Sequence, residues 1–348
     1  MEKVKIDNLT MDIPIIQGGM GVGISLSNLA GNVAKCGGMG VISAAHPGYK
    51  ETDFNTNPLD ANIRAIKKEI SKAKEIANGS GIVAVNIMCA MQDYDELVKA
   101  SIEGKTDAII SGAGLPLHLP KLTTGTNVKI APIVSSGKAA QLIIRSWQRK
   151  YQRTPDFIVI EGYKAGGHLG FHKDDLINNT CQSLEDILKD VLEVLKKYEI
   201  NIPVFVAGGI YTHDDIEHFI KLGASGVQIG TRFIGTNECD ASPKFKQAFI
   251  NATSSNIELV TSPVGMPGRA IHTKFLDLVS NHQTKITKCY KCISSCDPKT
   301  APYCITKALI EAVKGNIDEG LVFSGTNGYK IKSIVSVQDL INELMEGK

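Results

Sequence analysis

The sequence predicts an α/β fold: a (β/α)8 TIM barrel carrying a mostly helical C-terminal cap. Two observations carry that prediction. Eight short apolar, β-branched runs alternate with amphipathic segments of helical length, the order expected of a parallel sheet covered by helices. Glycines, amides and single charged residues also gather at the C-terminal ends of nearly every run. In a closed barrel all those ends meet on one rim. In an open doubly wound sheet, the competing architecture, only those near the switch point share a ligand.

The first run, IPIIQGG (13–19), is followed by the helix candidate SLSNLAGNVAKC. MGVISAA (39–45) precedes DANIRAIKKEISKAKEIA, and GIVAVNIM (81–88) precedes DYDELVKASIEG. DAIISGAG (107–114) leads through LPLHLP to VKIAPIVSS (128–136) and its helix KAAQLIIRSWQRKY. DFIVIEGY (156–163) is followed by SLEDILKDVLEVLKKY, IPVFVAGGI (202–210) by HDDIEHFIKLG, and SGVQIGTRF (225–233) closes the set. Ser or Asp stands near several helix starts, where a side-chain oxygen can accept from the free N–H groups of the first turn. After about residue 235 the alternation stops. Residues 1–235 are expected to form the barrel and 236–348 the cap or lid, with SPKFKQAFINA, CITKALIEAVKG and SVQDLINELM as its helices.

The seventh and eighth runs end in AGGI and QIGT. Backbone N–H groups of these two loops commonly bind a phosphate in such barrels, and glycine lets the backbone approach the anion. This places a phosphate at Gly208, Gly209, Gly230 and Thr231. The first run ends in GGMGVG (18–23), which fails the G-x-G-x-x-G spacing of a dinucleotide fold and has no acidic residue after the second strand. Asn86 sits inside VAVNIMCA, on an apolar strand end, where its amide can both donate and accept hydrogen bonds. The sixth run ends in Glu161 and opens into KAGGHLGF, a glycine loop around His168. Glycines on either side let the imidazole reach over the rim without steric cost, and histidine suits proton handling or hydrogen bonding near neutral pH. His46 and His118 are expected as ordinary loop residues.

Composition excludes several classes. Apolar residues make up 43% and charged residues 21% of 348, a soluble globular balance, and 38 basic against 36 acidic residues leave a charge of +2. Neither a nucleic acid nor an anionic membrane is expected as partner. No apolar run approaches the ~18 residues of a spanning helix, and a cytoplasmic location is expected. The last four of eight cysteines, Cys289, Cys292, Cys296 and Cys304, are spaced C-x2-C-x3-C-x7-C. That spacing is open to zinc, to an iron–sulfur cluster, or to buried reduced thiols.

Taken in order, QGGM, VNIM, SGAG, EGYKAGGH, VFVAGGI and QIGTRF resemble the nitronate monooxygenase (2-nitropropane dioxygenase) family, which includes the FabK-type FMN-dependent enoyl-acyl-carrier-protein reductases. The resemblance covers residues 13–235 and extends less distinctively through the rest. It implies an FMN-binding TIM barrel with a lid, with His168 as the catalytic residue. The flavin site it implies uses Gly19, Met20, Asn86, Glu161, Gly166, Gly209, Gln228, Ile229, Gly230 and Thr231. Two reactions follow. Oxidative denitrification of an alkyl nitronate uses O2, and enoyl-thioester reduction uses NAD(P)H. Many nitronate-oxidising members carry Gln where this chain has Glu161, and the reductases commonly have Glu. A non-catalytic phosphate-ligand-binding barrel is the remaining alternative, and a homodimer is open to any of the three.

Overall fold

The computed structural model describes residues 2–347. Strands β1 (Val4–Ile6) and β2 (Leu9–Met11) form a short antiparallel hairpin ahead of the barrel. The chain then runs through β3 (Ile15–Gln17), β4 (Met39–Ser43), β5 (Ile82–Met88), β6 (Ala108–Gly112), β7 (Lys129–Val134) and β8 (Ile158–Glu161). After β9 (Gly167–His168) come β10 (Val204–Ala207) and β11 (Gly226–Ile229). Leaving β9 aside, the strands from β3 to β11 form a closed parallel barrel in sequence order, β11 pairing with β3 and β8 with β10. Each barrel strand falls inside one of the eight apolar runs. Long helices cover the outside, among them Pro58–Ala77, Gly137–Tyr151 and Leu184–Lys197. Ser136, Ser183 and Thr212 cap their helices by accepting from backbone N–H groups three residues on.

Strand parity sorts the apolar side chains into two layers. Ile82 and Ala84 of β5 belong to an inner cluster with Met39, Val41, Val159 and Phe205, while Val83, Val85 and Ile87 face the helices. The inner cluster also takes Val4, Ile6 and Met11 from the hairpin, which thus plugs the N-terminal end of the barrel. Because alternate residues share a face, the inward series continues 82–84–86, 159–161 and 226–228. Apolar packing gives way to Asn86, Glu161 and Gln228 as each strand reaches the other rim.

The C-terminal segment carries the expected helices, Pro243–Asn251, Ile305–Lys314 and Val337–Glu346, with a further one at Lys274–Ser280. It also contains an element the helical reading lacks, an antiparallel sheet of β12 (Ile257–Thr261), β13 (Pro267–Ile271) and β14 (Val322–Phe323). β9 joins this sheet through β13, with His168 opposite Gly268. The glycine loop after β8 is therefore stitched to the cap by a backbone ladder. Among the described residues no helix is long and apolar enough to cross a membrane.

Candidate active site

A cavity of about 420 Å³ opens at the C-terminal rim of the barrel. Gly19, Met20, Asn86, Glu161, Gly166, His168, Gly208, Gly209, Gln228, Ile229, Gly230 and Thr231, scattered over two hundred residues of sequence, all line it. His46 and His118 do not. His46 is buried, with backbone φ of 49°, and its ring bridges Asn62 (3.1 Å) and Thr306 (3.0 Å), tying the barrel to the cap. His118 is exposed beside Asp95 at 2.8 Å.

One side of the cavity is built from backbone. Gly208 and Gly209 have φ of 99° and 93°, and a Cβ at Gly208 would sit 2.7 Å from the Gly162 carbonyl. Gly166 packs so closely on Gly325 that a Cβ there would meet its nitrogen at 2.4 Å. The turn 324–328 of the cap closes over this region. Gly325 N–H donates to Thr231 Oγ1 (3.0 Å), Asn327 Nδ2 to the Gly209 carbonyl (2.8 Å), and Thr326 N–H to the Lys164 carbonyl (3.1 Å). Lys164 and Arg232 line the same end, so it combines glycine backbone with two cations. Arg232 lies over the Tyr211 ring at 4.0 Å and pairs with Glu343 at 2.5 Å, yet its Nε is buried without a partner. Of Gln228, Oε1 is likewise buried and unpartnered. A buried acceptor and a buried donor left open in a cavity are groups that a ligand would satisfy.

Two further ionisable groups line the cavity. Glu161 ends β8, and burial raises its carboxyl pKa to about 7. Burial lowers the His168 imidazole to about 4, so it is neutral at physiological pH. The ring stands edge-on to Phe323, centroids 5.1 Å apart, and its Nε2 is 2.7 Å from Ser262 Oγ.

These features have counterparts among known proteins. A profile of the nitronate monooxygenase family matches residues 2–347. The chain belongs to the nitronate monooxygenase family. Family membership makes it an FMN-dependent oxidoreductase. It is similar to a probable nitronate monooxygenase of Bacillus subtilis, 25% identical with 96% of this chain and 95% of that protein aligned. A probable nitronate monooxygenase of Staphylococcus aureus (strain Newman) is also 25% identical, over 80% of each. Among solved structures, FabK from Thermotoga maritima superposes with a TM-score of 0.74 at 25% identity, covering 97% of this chain and 92% of that one. A nitroalkane oxidase from Streptomyces ansochromogenes superposes with a TM-score of 0.69 at 19% identity, covering 97% and 96%, and shows the shared fold.

Two corrections to the sequence reading concern the cap of this family member. The strand-end motifs left out the lining that the cap supplies, Met266, Phe323 and 325–327, although the turn FSGTNG is itself a glycine signal. The zinc or iron–sulfur site at Cys289, Cys292, Cys296 and Cys304 is not supported. Among the described residues no group of three or more His, Cys, Asp or Glu could hold a metal ion, and all eight cysteines are free thiols. Cys292 and Cys296 pack on an apolar cluster with Ile293 and Tyr303, and burial raises the thiol pKa of Cys292, Cys296 and Cys304. Metal binding needs thiolates, which such packing disfavours.

Proposed function

We propose that this protein is a cytoplasmic FMN-dependent nitronate monooxygenase that converts alkyl nitronates by oxidative denitrification with O2. The observation that carries the reading is one cavity that combines a cationic glycine cradle with a neutral histidine. The cradle suits a flavin phosphate: Gly208, Gly209, Gly230 and Thr231 would hold it, with Lys164 at the same end. The open Gln228 Oε1 and the inward amide of Asn86 suit the polar edge of an isoalloxazine, and Glu161 lies in the same inward ring of side chains. When bound, FMN supplies an electron acceptor that dioxygen can reoxidise. The protein's own part is to hold the substrate beneath Phe323 and Met266, to limit water there, and to direct His168 at the negatively charged nitro oxygens.

The enoyl-thioester reductase reading has an observation of its own, the 25% identity to FabK from Thermotoga maritima over nearly the whole chain, together with Glu161. One experiment separates the two. Oxygen uptake with propyl nitronate and no nicotinamide is measured beside NAD(P)H oxidation with an enoyl thioester. His168→Ala is expected to keep its flavin and lose ~10²–10³-fold in nitronate turnover, the scale of one lost hydrogen-bond donor to the reacting oxygens. Thioester-dependent NAD(P)H oxidation without nitronate turnover moves the assignment to the reductase.

A further inference from the structure

Nothing in the sequence spacing ties Ser262 to His168, ninety-four positions away, yet their side chains meet. Ser262 follows β12, is 3% exposed, and places its hydroxyl 2.7 Å from His168 Nε2. Its own turn is closed: Ser262 N–H donates to the Met266 carbonyl at 3.3 Å and Gly265 N–H to the Ser262 carbonyl at 3.1 Å. Val264 N–H approaches Ser262 Oγ at 3.4 Å, and among the described residues His168 Nε2 is the one acceptor within reach of the hydroxyl's hydrogen. The imidazole is fixed from its own side too, by the His168–Gly268 register and by the Phe323 edge. With Nε2 engaged, Nδ1 is the ring nitrogen left for a molecule in the cavity.

We propose that Ser262 is a positioning residue that holds His168 as the neutral tautomer with its proton on Nδ1, so that this imidazole offers the substrate a hydrogen-bond donor. A neutral imidazole carries one N–H and one lone pair. Here Ser262 takes the lone pair and the cavity receives the N–H. A nitronate carries its charge on oxygens that such an N–H can stabilise. That consequence rests on the nitronate reading, whereas the tautomer and its dependence on Ser262 do not.

The test uses the flavin-loaded protein labelled with 15N-histidine, the His168 signals being identified by their loss in His168→Asn. Long-range proton–nitrogen correlation reads which ring nitrogen carries the proton. The wild type is expected to show Nδ1–H, Ser262→Ala to shift His168 toward Nε2–H, and Ser262→Thr, which keeps the hydroxyl, to restore Nδ1–H. Oxygen uptake with propyl nitronate should fall about 5- to 20-fold in Ser262→Ala at unchanged flavin content, the scale of one lost hydrogen bond, and recover in Ser262→Thr. Nε2–H in the wild type overturns the proposal with no variant needed, and so does a tautomer indifferent to Ser262→Ala. If the tautomer behaves as stated and propyl nitronate does not support oxygen uptake, the positioning role stands and the nitronate reading falls.

Discussion

Replacing Glu161 by Gln should stabilise the flavin-free protein, and by an amount that depends on pH. The carboxyl ends β8, faces the barrel interior, and has its pKa raised by burial from 4.5 to about 7. Below pH 4.5 the folded and unfolded chains both hold this proton, and the group contributes nothing to the difference between them. Between 4.5 and 7 the unfolded chain releases the proton and the folded chain keeps it, so stability falls as pH rises. Above 7 both are ionised and the penalty is complete. At ~1.4 kcal/mol per pKa unit it amounts to about 3 kcal/mol, an upper figure because the open cavity lets water reach the carboxylate. Gln has nearly the same shape and does not titrate. The advantage of Glu161→Gln over wild type should therefore grow by about 2–3 kcal/mol from pH 4.5 to pH 8. Urea unfolding followed by the single tryptophan, Trp147, which is fully buried, reads it directly. Taking the difference between the two proteins at each pH cancels every other titrating group, including His46 and His168. Those two are depressed to about 4 by burial and act in the opposite direction, costing stability as pH falls from 6.5 to about 4. A difference that stays flat from pH 4.5 to 8 would show that Glu161 ionises as an ordinary carboxyl and is solvated in the cavity.

Two further outcomes test the cradle and the cap. Gly209→Leu should lower flavin retention at least tenfold, because φ of 93° strains a branched side chain and its Cβ would press on Lys164 at 3.0 Å; equilibrium dialysis of FMN measures it, and wild-type affinity in the variant removes the phosphate from that loop. Protein purified anaerobically should hold neither zinc nor iron in stoichiometric amount, and Cys292→Ser should lower the unfolding free energy measured in urea by no more than about 1–2 kcal/mol, the scale of placing a hydroxyl in an apolar setting. Elemental analysis finding one metal per chain that is lost in Cys292→Ser would restore the metal site.

The barrel and much of its rim were legible because their determinants are local. A parallel strand covered on both sides needs a short apolar run, the helix after it needs a 3.6-residue period, and a strand end that binds something exchanges apolar residues for glycine, amide or acid. For this reason IPIIQGG, GIVAVNIM, DFIVIEGY and SGVQIGTRF mark both their strands and their cavity residues. Parity then points Asn86, Glu161 and Gln228 inward, since the alternation along a strand is a property of the backbone. What the tertiary structure decided depends on approaches that no spacing encodes. The Ser262–His168 contact and the closure of 324–328 over Gly209 and Thr231 each join segments about a hundred residues apart. IELVT and PGRAI became strands only by pairing with each other and, through β13, with the His168 loop. The titration of Glu161 and His168, and the raised thiol pKa of Cys292, Cys296 and Cys304, belong to the burial that folding imposes. Local chemistry selects which residues reach the rim, and long-range packing sets the charge, tautomer and ligands each of them has there.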